Sequence, residues 1–140
     1  MSLMKLRPAY KDYIWGGQRL IKEYNKDYDG SILAESWELS CHPDGPSIIC
    51  SGPYAGKTLR NFLELEGIGA LGKNCSGYEE FPLLIKLIDA RENLSVQVHP
   101  NDSYAMEHEG QYGKTEVWYV VDCTEGAFLY YGFHPFYINL

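Results

Sequence analysis

Leu33, Glu35, Trp37 and Leu39 alternate with Ala34, Ser36, Glu38 and Ser40, and this period of two predicts a strand with Glu35 and Trp37 on one face. Further along, Leu94, Val96 and Val98 alternate with Ser95, Gln97 and His99, predicting a second strand with an apolar core face and a polar, convergent one. Thr115 to Asp122 is rich in β-branched and aromatic residues and reads as a third, with Lys114 and Glu116 sharing a face. Pro46 to Cys50 and Ala127 to Gly132 read as short strands, and the nearly continuous apolar run Phe81 to Ile88, interrupted by Lys86, as a buried one. Arg91-Glu92-Asn93 would turn that run into the Ser95 to His99 strand as a hairpin.

Helical spacing is confined to short stretches. Gln18 to Tyr24 is amphipathic and follows the break at Gly16-Gly17; Pro8 to Trp15 before it reads as extended. Thr58 stands at an N-cap position ahead of Leu59, Phe62, Leu63 and Glu66, and Pro100-Asn101-Asp102 offers start chemistry for a helix over Ser103 to Glu109. His42-Pro43-Asp44-Gly45 and Cys123 to Gly126 are turn signals. Short strands at close spacing with few helices predict a mainly β domain, a sandwich or barrel.

A chain of 140 residues suits one domain and buries roughly two-thirds of its unfolded surface, so a core forms without covalent staples. The net charge of −7 argues against a nucleic-acid partner, whose phosphates are met by Lys and Arg. No apolar run approaches the roughly 20 residues of a membrane span. Cys41, Cys50, Cys75 and Cys123 show no close pairing and the N-terminus no secretory pattern, so a reduced, cytoplasmic protein is expected, with residues 1–3 as a possible expression leader.

Gln97 and His99, two apart, and Glu116 on the other predicted strand are metal-capable; imidazole and carboxylate suit Zn²⁺, and an amide is a rarer ligand. Spacing alone slightly favours ordinary polar positions on a solvated sheet face. Lys114 is a general acid or base if a cation or burial lowers the usual lysine pKa of about 10.4, and otherwise a solvated charge. Ser95 suits an anionic group or simply water, and Trp15 and Trp37 suit a sugar-site wall or the core. His42, His108 and His134 read as surface residues and the cysteines as small hydrophobes.

Several segments together resemble the type I mannose-6-phosphate isomerases (phosphomannose isomerases), in particular the N-terminal part of the shorter bacterial branch. They are Tyr13-Ile14-Trp15-Gly16-Gly17, Ala34-Glu35-Ser36-Trp37-Glu38-Leu39-Ser40, Gly56-Lys57-Thr58-Leu59, Phe81-Pro82-Leu83-Leu84-Ile85-Lys86, Leu94-Ser95-Val96-Gln97-Val98-His99-Pro100 and Gly113-Lys114-Thr115-Glu116, in family order. The resemblance implies a cupin-like jelly roll and a zinc site held by Gln97, His99 and Glu116. It also implies interconversion of mannose 6-phosphate and fructose 6-phosphate through a cis-enediol. Lys114 is then the proton-transfer residue, Ser95 a phosphate contact and Trp15 part of the site wall. The contrary class is a non-catalytic cupin-like module binding a metal or sugar phosphate.

Family members continue well beyond this length and draw a further His ligand and an Arg from that region. The likeness spans residues 4–133, and the tail, 134–140, departs from it. The expectation is a truncated or frame-shifted product, a barrel incomplete at its C-terminal end. An open edge there, over Ala127 to Phe133, predicts homo-oligomerisation.

Overall fold

The computed structural model describes residues 3–132; His134 and the divergent tail lie outside the described residues. The chain divides between Ser95 and Val96 into two compact units.

The first unit is built on two antiparallel sheets. β1 (Leu6–Arg7) pairs with β4 (Ile48–Ile49), Leu6 opposite Ile49. In the other, β3 (Glu35–Leu39) lies between β2 (Ala9–Lys11) and β5 (Ile85–Ile88). The predicted period is realised on β3, where the Trp37 indole N–H donates to Glu35 Oε2 at 2.7 Å from the same face. Lys86, opposite Trp37 on β5, donates from Nζ to Glu35 Oε1 at 3.1 Å. Glu35 is only 6% exposed, and the two bonds compensate a buried carboxylate.

Three serines near this strand, Ser36, Ser40 and Ser47, are fully buried, and each hydroxyl is used. Ser47 Oγ accepts from the Ser40 N–H at 2.9 Å, Ser40 Oγ accepts from the His42 N–H at 3.1 Å, and Ser36 Oγ donates to Glu38 Oε1 at 2.6 Å. The Ser40 and Ser47 bonds tie the end of β3 to the turn leading into β4. Cys41, Ile49, Leu59 and Phe62 form a core cluster, with Leu6, Leu39, Tyr54 and Leu63 packed against it. Leu59 and Phe62 come from α2 (Leu59–Glu66), whose start is capped as expected: Thr58 Oγ1 accepts from the Asn61 N–H at 3.0 Å. The amphipathic stretch after Gly17 yields the single-turn α1 (Arg19–Lys22).

In the second unit, α3 (Asp102–His108) begins where the Asn101 side chain accepts from the Tyr104 N–H at 3.0 Å. The expected strands over Ser95 to His99, Thr115 to Asp122 and Ala127 to Gly132 form no regular secondary structure and no ladder pairing among the described residues. An alternating pattern specifies faces but supplies no partner, and a strand exists only through its partner's hydrogen bonds. The hairpin expectation is corrected too, for β5 pairs with β3 rather than with Ser95 to His99. Nor are Leu94, Val96 and Val98 core: Leu94 is half-buried, and Val96 and Val98 are 85% and 68% exposed. The run from Phe81 is strand only from Ile85 and half-buried at best, since its partner β3 directs Glu35 and Trp37, with their polar bonds, to the face it shares with Lys86.

Every described cysteine is a free thiol, and no described helix is long and apolar enough to cross a membrane.

Candidate metal and sugar-phosphate site

His99, Lys114 and Glu116 come together through the segment between them. Asn101 caps α3, and α3 carries the chain about two turns before Gly110 reverses it. Asp102 Oδ1 then accepts the Gly113 N–H at 2.9 Å, closing the loop. A Cβ at residue 113 would stand 2.5 Å from Pro100 O and 2.6 Å from the Asn101 carbonyl carbon, so the returning chain passes this close only with glycine there. Lys114 and Glu116 follow at once.

Glu116 Oε2 lies 2.7 Å from His99 Nε2, and Glu116 Oε1 lies 3.1 Å from Lys114 Nζ. The Trp118 side chain also donates to this carboxylate. Partial burial pushes the Glu116 pKa up, but the hydrogen bonds from Trp118, His99 and Lys114 outweigh it and hold the carboxyl at about 2, far below the usual 4.5. An ionised carboxylate aimed at an imidazole nitrogen is a pair of donor atoms converging on one point. Beside it a concavity of about 300 Å³ is lined by His99, Pro100, Asn101, Asp102, Gly113, Lys114 and Thr115.

Gln97 belongs to the same unit but is exposed and does not line the concavity. Ser95 and Trp15 belong to the first unit. Ser95 is exposed; Trp15 is half-buried and stacked on Tyr13, ring centroids 5.5 Å apart and 26° between planes. Trp37, the alternative wall, is instead buried with its indole held by Glu35.

No cluster of three His, Cys, Asp or Glu side chains suited to a metal occurs among the described residues. The imidazole and carboxylate nevertheless match zinc in donor chemistry, and Gln97, two residues from His99, carries an amide, a rarer ligand type. In the pair as it stands, the 2.7 Å separation is a hydrogen bond between the imidazole and the carboxylate.

Two contributors escaped the sequence reading. Trp118 shares the parity of Lys114 and Glu116, so a period of two puts it on their face, whereas its aromatic ring alone marks only a strand position. Asp102 carried a helix-start signal that concealed its bond to Gly113 across the loop.

The description of the phosphomannose isomerase type I catalytic domain matches residues 3–122. The mannose-6-phosphate isomerase of Streptococcus mutans is 47% identical over 119 residues, 85% of this chain and 37% of that protein. A crystal structure of the mannose 6-phosphate isomerase from Bacillus subtilis superposes with a TM-score of 0.80 at 42% identity, covering 89% of this chain and 39% of the other. A mutant phosphomannose isomerase from Salmonella typhimurium gives a TM-score of 0.61 at 28% identity, over 76% and 28% of the two chains. This chain spans about two-fifths of the length of the Streptococcus mutans and Bacillus subtilis relatives. A mainly β chain with these motifs in order, matched over residues 3–122, belongs to the type I phosphomannose isomerase family.

Proposed function

We propose that this chain carries the metal-binding part of an aldose-ketose isomerase site for mannose 6-phosphate and fructose 6-phosphate. The observation that supports this most is the convergence of His99, Glu116 and Lys114 beside an open concavity, in a member of this family. In this reading His99 Nε2, Glu116 and Gln97 hold zinc, which when bound supplies positive charge for the oxygens of an enediolate. Lys114, already paired with Glu116, donates to or accepts from the sugar oxygen and carbon at the reacting end. A proton leaves C2, a cis-enediol forms as a proton shifts between the two oxygens, and a proton returns at C1; no electrons are gained or lost overall. Ser95 serves the phosphate and Trp15 the wall. Asp102 and Gly113 keep Lys114 next to His99.

A coupled assay of fructose 6-phosphate formation with added Zn²⁺ tests the reading. Turnover that disappears in Lys114→Met while zinc stays bound supports it; no rate above background, with a full-length relative active in parallel, removes catalysis from this chain. The second reading, a module that binds metal or sugar phosphate without turnover, draws support from the exposure of Gln97 and Ser95.

The family's metabolic substrate, the free thiols and the composition favour a cytoplasmic setting. Homo-oligomerisation is proposed through the segments of the second unit that form no ladder among the described residues. Val96, Val117, Tyr119 and Tyr130 are each more than four-fifths exposed there, an arrangement that invites strand pairing with a second copy over the described part of Ala127 to Phe133.

A further inference from the structure

The turn that carries Trp15 is held from one place. Asp89 accepts the Gly17 N–H on its backbone oxygen at 3.0 Å, gives its own N–H to Ala34 O at 2.9 Å, and accepts the Arg19 N–H on Oδ2 at 2.7 Å. Two and three residues on, the Arg91 and Glu92 N–H groups both donate to Trp15 O at 3.0 Å. Gly16 bridges Ala90 between them.

What makes the side chain matter is α1. This helix is four residues long, and Gln18 at its N-cap position makes no side-chain capping bond. So short a helix does not hold itself, and its first N–H groups need partners from elsewhere. The Asp89 carboxylate supplies one from a residue 70 positions away, doing for α1 what Thr58 does locally for α2. Gly17 completes the fit, for a Cβ there would fall on the Asp89 carboxylate. The turn carries the stacked Tyr13 and Trp15 rings, Tyr13 45% exposed and Trp15 half-buried.

We propose that Asp89 is the positioning residue that fixes the Tyr13–Trp15 aromatic platform by anchoring the C-terminal flank of its turn at Gly17 and Arg19, a role that rests on the reading of Trp15 as substrate wall. The platform offers a flat apolar face to a sugar ring, and its use depends on the rings keeping one orientation rather than on new contacts.

The experiment compares the whole chain with Asp89→Ala, Asp89→Asn and Gly17→Ala by amide hydrogen exchange, by zinc content, and by titration with mannose 6-phosphate under tryptophan fluorescence. Asp89→Ala and Gly17→Ala are expected to lose protection at Arg19 and its neighbours by roughly tenfold or more, with the β3 amides unchanged. Asp89→Asn, whose carbonyl still accepts from Arg19, retains protection. Mannose 6-phosphate affinity is expected to fall roughly tenfold in Asp89→Ala and to recover in Asp89→Asn, with zinc content constant throughout. Unaltered protection at Arg19, equal loss on β3, or no recovery in Asp89→Asn overturns the role. If the unmodified chain binds no mannose 6-phosphate, the wall reading of Trp15 fails, and exchange at Arg19, Arg91 and Glu92 decides the positioning of the turn on its own.

Discussion

His99 Nε2 and Glu116 Oε2 stand 2.7 Å apart although 17 positions separate the residues in sequence. The pairing is made by α3 and by the closure of Asp102 on Gly113. Each partner is about three-quarters buried, so the attraction between them is not dissipated in bulk water.

Glu116→Gln and His99→Ala are each expected to abolish bound zinc, because each removes a strong donor from a set with few. His108→Ala, on an exposed position of α3, leaves zinc content unchanged. Metal analysis after dialysis checks this, and full zinc in either of the first two variants refutes the ligand assignment.

Gly113→Ala is expected to weaken zinc binding without removing any donor. The added Cβ meets the backbone of Pro100 and Asn101, so the loop must open and carry Lys114 and Glu116 away from His99. Competition with a chromophoric chelator reads the change; an affinity within twofold of the unmodified chain counts against the loop as the positioning device.

In the metal-free chain Glu116 is expected to titrate at about 2 rather than at 4.5. Its ionised form is the one stabilised by folding. The stabilisation is therefore complete above about 4.5 and is lost as pH falls toward about 2. The side-chain carboxyl carbon shift followed by NMR gives the midpoint, and Lys114→Met should move it upward. A midpoint near 4.5 in the unmodified chain would mean that the three hydrogen bonds are not made.

Thr58→Ala is expected to destabilise the first unit by about 1 kcal/mol through loss of the cap on α2, with Thr58→Ser close to neutral. Lys86→Met is expected to cost more, about 3 kcal/mol, since it leaves the buried Glu35 carboxylate with only the Trp37 N–H. Chemical denaturation measures both. Equal effects would show that the Glu35 pair is better solvated than its burial indicates.

Sedimentation at micromolar concentration is expected to give a mass above that of one chain. A sharp monomer would exclude pairing through these segments of the second unit.

Local chemistry was readable from the sequence wherever neighbours in the chain make the interaction. Thr58 capping Asn61, Asn101 capping Tyr104, the turn at His42 to Gly45 and the common face of Glu35 and Trp37 all involve residues within a few positions of one another. Lys114 and Glu116 shared a face for the same reason. Only the tertiary structure decided which strands find partners. The alternation at Ser95 to His99 resembles that of β3, yet β3 has β2 and β5 beside it while Ser95 to His99 has no ladder partner among the described residues. It also decided that His99 meets Glu116, that Trp118 joins them, and that Asp89 serves a helix 70 positions away. Periodicity reports the direction of a side chain relative to its own backbone, whereas these contacts depend on where a distant backbone passes.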